Sequence, residues 1–149
     1  MKPNTETSNS RAVETRIHVR YAETDQMGVV YYANYLVWFE VGRAAYCRQC
    51  GFNYSDMEKQ YGAYLFVAES YCRYKAPAHT EEEIIIRTRI GDLNRRVVKF
   101  YYEIVRAADE RLLAEGYTTH VVSANNGKPR SFPEECLKLL VKSLKTELD

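Results

Sequence analysis

The segment spanning residues 31–49 does most to limit the folds open to this chain. Tyr35, Phe39, Gly42 and Tyr46 recur at intervals of four and three, so they share one face of a helix. That face is aromatic, and Gly42, Ala44 and Ala45 are small enough to let a neighbouring layer come close. Gly51 supplies a C-terminal stop. No second helix of comparable length and apolarity follows it. Four strand-like segments follow, over residues 64–75, 81–90, 96–106 and 112–122. In the second, Ile84, Ile86 and Ile90 lie on one side and Arg87 and Arg89 on the other. In the third, Val98, Phe100, Tyr102 and Ile104 lie together. The short turns between them, GDLN and ADER, imply antiparallel pairing. A long apolar helix with only strands for company has to be buried against their sheet.

The remaining segments complete an α+β architecture. Residues 16–21 alternate, with Ile17, Val19 and Tyr21 on one side and His18 and Arg20 on the other, which predicts a first strand. FNYSDMEKQYGA is polar, with the character of a short helix. Ser131 and Glu134 are spaced as a capping box and Pro133 suits a first helical turn. Cys136, Leu137, Leu140 and Leu144 then form the stripe of a closing helix. The expectation is one domain over residues 15–149 behind a disordered polar tail, 1–14: a curved antiparallel sheet wrapped around a central helix.

Bulk properties narrow the function. A chain of 149 residues has room for one real core. Its net charge of +1 gives no argument for nucleic acid or an anionic membrane as partner. No run of about 18 apolar residues is present, so no membrane span is expected. The N-terminus lacks a signal-peptide pattern, so a cytoplasmic location is expected. Cys47 and Cys50 form a C-x-x-C, but at a helix C-terminus, where the dipole disfavours a thiolate. Cys72, Cys136, His18, His79 and His120 are scattered, so neither a redox pair nor a metal site is expected.

The chemistry concentrates in YAETDQMGVVYYANYLVWFE, residues 21–40, where strand gives way to helix. Asp25 and Gly28 occupy the turn. An aspartate there serves as a turn or cap residue in most proteins. It can also act on a carbonyl compound, as a nucleophile or as a general base toward water. The unpaired N–H groups and positive dipole end of the helix start would then stabilise an oxyanion. Gly28 allows a backbone shape barred to other residues and a close approach by substrate.

The run Thr24-Asp25-Gln26-Met27-Gly28-Val29-Val30-Tyr31-Tyr32-Ala33-Asn34-Tyr35-Leu36 resembles the signature of the hot-dog-fold acyl-CoA thioesterases. The likeness is to the 4-hydroxybenzoyl-CoA thioesterase and Tol–Pal-associated enzymes. WFEVGR, YKAPAHTEEEIIIRTRI and GKPRSFP resemble later passages of that family in the same order. The likeness covers residues 15–140. It implies hydrolysis of acyl-CoA thioesters without metal or cofactor. It implies Asp25 as the working carboxylate and the N–H of Tyr32 as oxyanion donor, with Gly28 shaping the turn. Tyr32 stands where many members have His.

The resemblance further implies dimers joined sheet edge to sheet edge, often paired into tetramers, with active sites between subunits. Tyr31 and Asn34 are substrate-side candidates, and Asn34 is equally suited to holding the turn. Coenzyme A carries phosphates, which arginine and lysine bind well. Arg95 and Arg96 at a strand start, and Lys128 and Arg130 in the last loop, are the candidates, against the alternative of a solvated charged edge. Tyr31, Tyr35, Trp38 and Phe39 read mainly as core, with the alternative that one or two of them line an acyl tunnel. Glu40 and Arg43 read as a helix ion pair, and Glu69 as a strand or subunit-contact residue. Two other readings stand beside hydrolysis: a hot-dog hydratase acting on enoyl thioesters, and a non-catalytic module binding acyl-CoA or acyl-carrier protein. Most hydratases of this kind pair a carboxylate with a histidine, and none lies near Asp25 in sequence.

Overall fold

The computed structural model describes residues 12–145. The order is β1 (Val13–His18), a 3-10 turn (Tyr21–Glu23), α1 (Asn34–Cys50), α2 (Tyr54–Tyr61), β2 (Ala63–Tyr74), β3 (Glu83–Leu93), β4 (Val97–Arg106), β5 (Leu112–Ala124) and α3 (Glu134–Lys145). The five strands form one antiparallel sheet in the order β1-β3-β4-β5-β2. The outer edges of β1 and β2 are unpaired among the described residues.

Helix α1 lies against the sheet as its spacing predicts. Tyr35, Phe39, Gly42 and Tyr46 are all buried, joined by Trp38 and Cys47. The Phe39 ring stacks on Tyr102 of β4, with centroids 4.2 Å apart and planes 5° from parallel. Gly42 marks the closest approach. A methyl group there would meet Thr88 Oγ1 at 2.3 Å and the Ile86 side chain at 2.7 Å. Helix α3 caps the core with Cys136 and Leu140 buried, and the polar stretch before β2 is helical, started by Asn53, whose side chain accepts from Asp56 N–H.

Several local expectations need correction. Strand β1 ends at His18, and Tyr21 has turned into the 3-10 segment, where it is 83% exposed. The strand starts ahead of the boundary expected at residue 15: Val13 and Glu14 pair with Thr88 and Arg87. The rest of the expected tail, 1–11, lies outside the described residues. The turn expected at GDLN is displaced, because β3 runs on to Leu93. Asn94 forms the turn instead, its side chain accepting from the N–H groups of Arg96 and Val97. Helix α3 opens on the Pro133 carbonyl, which accepts from Leu137 N–H, so Ser131 is no cap. Arg43 does not pair with Glu40; it turns inward to the Tyr102 hydroxyl.

Beside Arg43 lies a buried polar chain. Tyr102 Oη bonds Thr118 Oγ1, which bonds His120 Nε2 at 2.8 Å. Burial, reinforced by the Arg43 charge, pushes His120 down to about 3 from the usual 6.5. A histidine depressed in the folded state binds fewer protons than in the unfolded chain. Its contribution is therefore full above about pH 6.5 and is lost as pH falls toward 3. Urea titrations between pH 7 and 4 are expected to show stability falling by a few kcal/mol. His120→Gln is expected to flatten that slope; an unchanged slope would count against a neutral buried imidazole.

Candidate active site

The segment between the 3-10 turn and α1 is held by one residue, Glu23. Its buried carboxylate accepts from Arg20 N–H at 2.9 Å and from Trp38 Nε1 at 2.9 Å. Burial works against its ionisation, but those two hydrogen bonds and the Arg20 charge outweigh it and hold Glu23 below the usual carboxylate range. Its backbone carbonyl accepts from Tyr31 N–H at 2.9 Å and from Asn34 Nδ2 at 2.8 Å. Glu23 thus ties the loop to the first turns of the helix. Sequence reasoning missed it. The available signal was an acid ahead of Asp25 and a lone tryptophan on the buried helix face.

Within this frame Asp25 opens a tight loop. Its N–H donates to Val29 O at 2.8 Å, and Gly28 N–H returns to Asp25 O at 3.0 Å. Gly28 has φ +80°, the left-handed region where a side chain is strained, which is why glycine stands there. The Asp25 carboxylate does serve the turn, since Oδ1 accepts from Met27 N–H at 2.8 Å. Oδ2 has no partner among the described residues. Asp25 also lines a cleft of about 420 Å³, with Met27, Tyr32, Tyr35, Tyr74 and Pro77 among its walls. Both duties considered for Asp25, turn residue and cleft carboxylate, are thus structurally available at once.

The segment before the helix leaves donors open, and one of its residues, Tyr32, lines the same cleft. Tyr31, Asn34, Tyr35 and Leu36 N–H groups all reach backbone acceptors. Those of Tyr32 and Ala33 have none among the described residues. The structure therefore brings Asp25, Gly28 and Tyr32 together. It separates the other candidates. Tyr31 is half exposed rather than core and rests on the Tyr32 ring, with centroids 4.7 Å apart. Asn34 is committed to Glu23.

The expected phosphate-binding cations lie elsewhere. Arg96 borders a second groove of about 420 Å³, with Phe66, Val121 and Pro129. Its carbonyl accepts from Val122 N–H on β5. Lys128 is nearby in the following loop, its carbonyl accepting from Ala124 N–H. Arg95 is exposed, and its carbonyl holds Phe132 N–H. Arg130 spends its guanidinium on the carbonyls of Tyr61 and Ser131, which is a structural duty. Tyr74, at the Asp25 end, pairs with Ala114, whereas Leu65 pairs with Val122. Those positions on β5 are about 26 Å apart at a strand rise of ~3.3 Å. In a single protomer the cations and Asp25 sit at opposite ends of the sheet.

The remaining chemistry-bearing side chains are quiet. Burial pushes the Cys47 thiol up to about 12 and raises that of Cys50, so the C-x-x-C is unsuited to thiolate chemistry. Among the described residues no cluster of His, Cys, Asp or Glu could hold a metal ion, and no helix is long and apolar enough to cross a membrane.

One long helix packed on a five-stranded antiparallel sheet, with the strand-to-helix turn at its head, is the hot-dog fold. The family model described as the Thioesterase-like superfamily matches residues 19–140, and the chain belongs to that superfamily. It is 45% identical over 117 residues to a Bacillus subtilis protein named "Putative acyl-CoA thioesterase YneP", which covers 78% of this chain and 83% of that protein. A hypothetical protein from Thermus thermophilus has the same fold, with TM-score 0.82 and 36% identity over 89% of this chain and 97% of that one. DHNA-CoA thioesterase from Staphylococcus aureus matches with TM-score 0.82 and 33% identity, over 93% and 95% of the two chains.

The Glu23 anchor makes a direct prediction. Glu23→Ala strands the Trp38 indole N–H and is expected to cost about 2–4 kcal/mol in urea unfolding. Glu23→Gln is expected to recover part of that loss. Equal stability of all three proteins would remove Glu23 from the anchor role.

Proposed function

We propose that this protein hydrolyses acyl-CoA thioesters to a free acid and coenzyme A. The observation that carries this reading is that a cleft carboxylate, Asp25, shares its cleft with Tyr32, whose amide has no partner among the described residues. The free oxygen of Asp25 attacks the thioester carbonyl, the C–S bond breaks to expel the CoA thiolate, and water then hydrolyses the resulting mixed anhydride. Alternatively it takes a proton from a water that attacks the carbonyl, and the tetrahedral intermediate collapses with loss of the thiolate, which leaves as the protonated thiol. The Tyr32 amide and the positive end of α1 receive the charge that develops on the carbonyl oxygen. Gly28 keeps the loop in a shape that leaves the cleft open. The similarity to proteins named as acyl-CoA thioesterases supports the same reading. Asp25→Asn is expected to lower kcat at least about 100-fold on a good acyl-CoA, followed by thiol release, with an unchanged melting temperature. Turnover within about threefold of the wild type would sink this assignment. Tight acyl-CoA binding without thiol release by the wild type would favour a non-catalytic module.

The working unit on this reading is a dimer built on β2. That strand is 12 residues long, and beside its free edge Phe66 and Val67 are 48% and 53% exposed. A long open edge of this kind is a template for a second strand. Antiparallel pairing of two β2 strands about a twofold axis reverses one of them. The Ala63 end of one copy, near Arg96 and Lys128, then lies beside the Tyr74 end of the other, near Asp25. Each site combines the carboxylate of one subunit with the cations of its partner, where the coenzyme A phosphates bind. Arg96→Ala is expected to raise KM for acyl-CoA about tenfold while leaving kcat for an acyl-pantetheine substrate unchanged. Mixing Arg96→Ala and Asp25→Asn chains is expected to recover activity through mixed dimers holding one intact site. No recovery after subunit exchange would argue for sites within single chains.

A further inference from the structure

The Asp25 cleft has a mouth and a floor. Of the residues that line it, Met27, Tyr32, Tyr74 and Pro77 are exposed, whereas Val30, Tyr35 and Ala76 are buried. The buried three close the cleft toward the core. Val30 and Ala76 are small, so the phenol ring of Tyr35 supplies most of that floor. Tyr35 belongs to the core as well as to the cleft. Its ring packs between Trp38 and Tyr74, with centroids 5.0 and 5.1 Å away, and its hydroxyl is held by Ala78 N–H. A ring packed this closely is costly to displace. The next buried residues along α1 are Trp38 and Phe39, and Phe39 is stacked on Tyr102. Ring packing thus occupies the space between helix and sheet behind Tyr35.

The walls offer ring surface rather than free polar groups. The Tyr74 hydroxyl donates to the Tyr32 carbonyl at 2.9 Å, and the Tyr32 hydroxyl is bonded to that of Tyr31. The Tyr74 ring stands edge-on to Tyr35 and to Tyr32, at 84° and 88°. Lys75 also lines the cleft, but its ammonium lies 3.6 Å from the Glu115 carboxylate. An uncharged, apolar acyl group suits such walls, and a second carboxylate would meet the charge of Asp25. The cleft volume of about 420 Å³ is that of about 14 liquid waters. With the thioester itself inside, that leaves room for a short chain or a single ring.

We propose that Tyr35 is the specificity-determining residue of the acyl site, its buried ring setting the depth of the cleft and restricting substrates to compact, apolar acyl groups. The proposal rests on the thioesterase reading of this cleft and deepens it. Tyr35 takes no part in bond making; it selects by volume. While a chain fills the cleft, each added methylene leaves water and raises kcat/KM about fourfold. Once the chain reaches the Tyr35 ring, further methylenes stay in water or press on a packed core, and the gain stops.

The test is thiol release from straight-chain acyl-CoAs running from acetyl-CoA to palmitoyl-CoA. Wild-type kcat/KM is expected to climb with chain length and to break off by about ten carbons. Tyr35→Leu and Tyr35→Ala are expected to move the break to longer chains, raising the preference for lauroyl-CoA over butanoyl-CoA about tenfold or more. Tyr35→Phe keeps the ring and is expected to leave the break in place. Ala76→Leu adds bulk to the same floor without opening a core cavity and is expected to move the break to shorter chains. Succinyl-CoA is expected to be a poorer substrate than butanoyl-CoA. A wild type with no break up to palmitoyl-CoA overturns the proposal, as does an unmoved break in a folded Tyr35→Leu. Where Tyr35→Leu does not fold, an unmoved break in Ala76→Leu overturns it instead. Succinyl-CoA turned over as well as butanoyl-CoA overturns the apolar preference. These failures differ from failure of the activity itself. An active, Asp25-dependent wild type without a break rejects the depth role alone, whereas a wild type releasing no thiol from the whole series rejects the thioesterase reading beneath it.

Discussion

The head of the molecule depends on a buried carboxylate that takes part in no proposed chemical step. Glu23 accepts from the Trp38 indole and from Arg20 N–H, while its own carbonyl gathers Tyr31 N–H and the Asn34 side chain. A carboxylate removed from water is costly unless its oxygens are satisfied, and here each has a donor. Trp38 is fixed in turn by burial in the core on α1. The helix that fills the sheet therefore also sets the position of the loop that carries Asp25. Close packing at Gly42, where not even a methyl group has room, carries that constraint to β3. Core and site share one mechanical frame.

The sheet order adds a second constraint. With β2 at one edge, the strand that follows the helices has one side unpaired among the described residues. Its two ends differ in character. Near Tyr74 stand the aromatic walls of the Asp25 cleft, and near Ala63 stand Arg96 and Lys128. Coenzyme A makes unlike demands on its two ends: a thioester to be polarised and phosphates to be neutralised. On the proposed reading one chain carries groups suited to both demands, but too far apart for them to serve one site directly. The proposed twofold axis across β2 would resolve that distance without any change within the chain.

How much of this was legible in the sequence follows from how local each feature is. Asp25, Gly28 and Tyr32 lie within eight residues of one another, and a strand-to-helix turn brings such residues together whatever surrounds it. The α1 stripe was legible because helical periodicity reports burial directly. Glu23 and Tyr74 were not, because their partners lie 15 and 42 residues away. The same holds for Arg130, whose type suggested phosphate but whose guanidinium is claimed by the carbonyl of Tyr61, 69 residues earlier. Arg43 was assigned to Glu40 by helix spacing, and burial of a different face turned it toward Tyr102. The turn at Asn94 was misplaced by three residues, because a register shift between Ile90 and Leu93 lets β3 run on.

The second tyrosine of VVYY shows how backbone and side chain divide their work at one position. Tyr32 stands where the signature that this segment resembles often has histidine, and an imidazole there would suggest acid–base chemistry. The Tyr32 ring instead joins an aromatic wall with Tyr31 and Tyr74 and stays largely exposed at the cleft mouth. Its carbonyl is bound from the sheet, and its amide is left open. On the proposed mechanism the chemistry at this position belongs to the peptide group, which any residue supplies. The side chain is then free to shape the cleft mouth that receives the acyl group, and replacing histidine by tyrosine alters that surface without removing a reacting group. On that mechanism catalysis and substrate selection can vary independently at a single residue, so long as the Tyr31–Tyr32 peptide that carries the amide stays fixed, as it is through the Tyr31 carbonyl and Asn34 N–H.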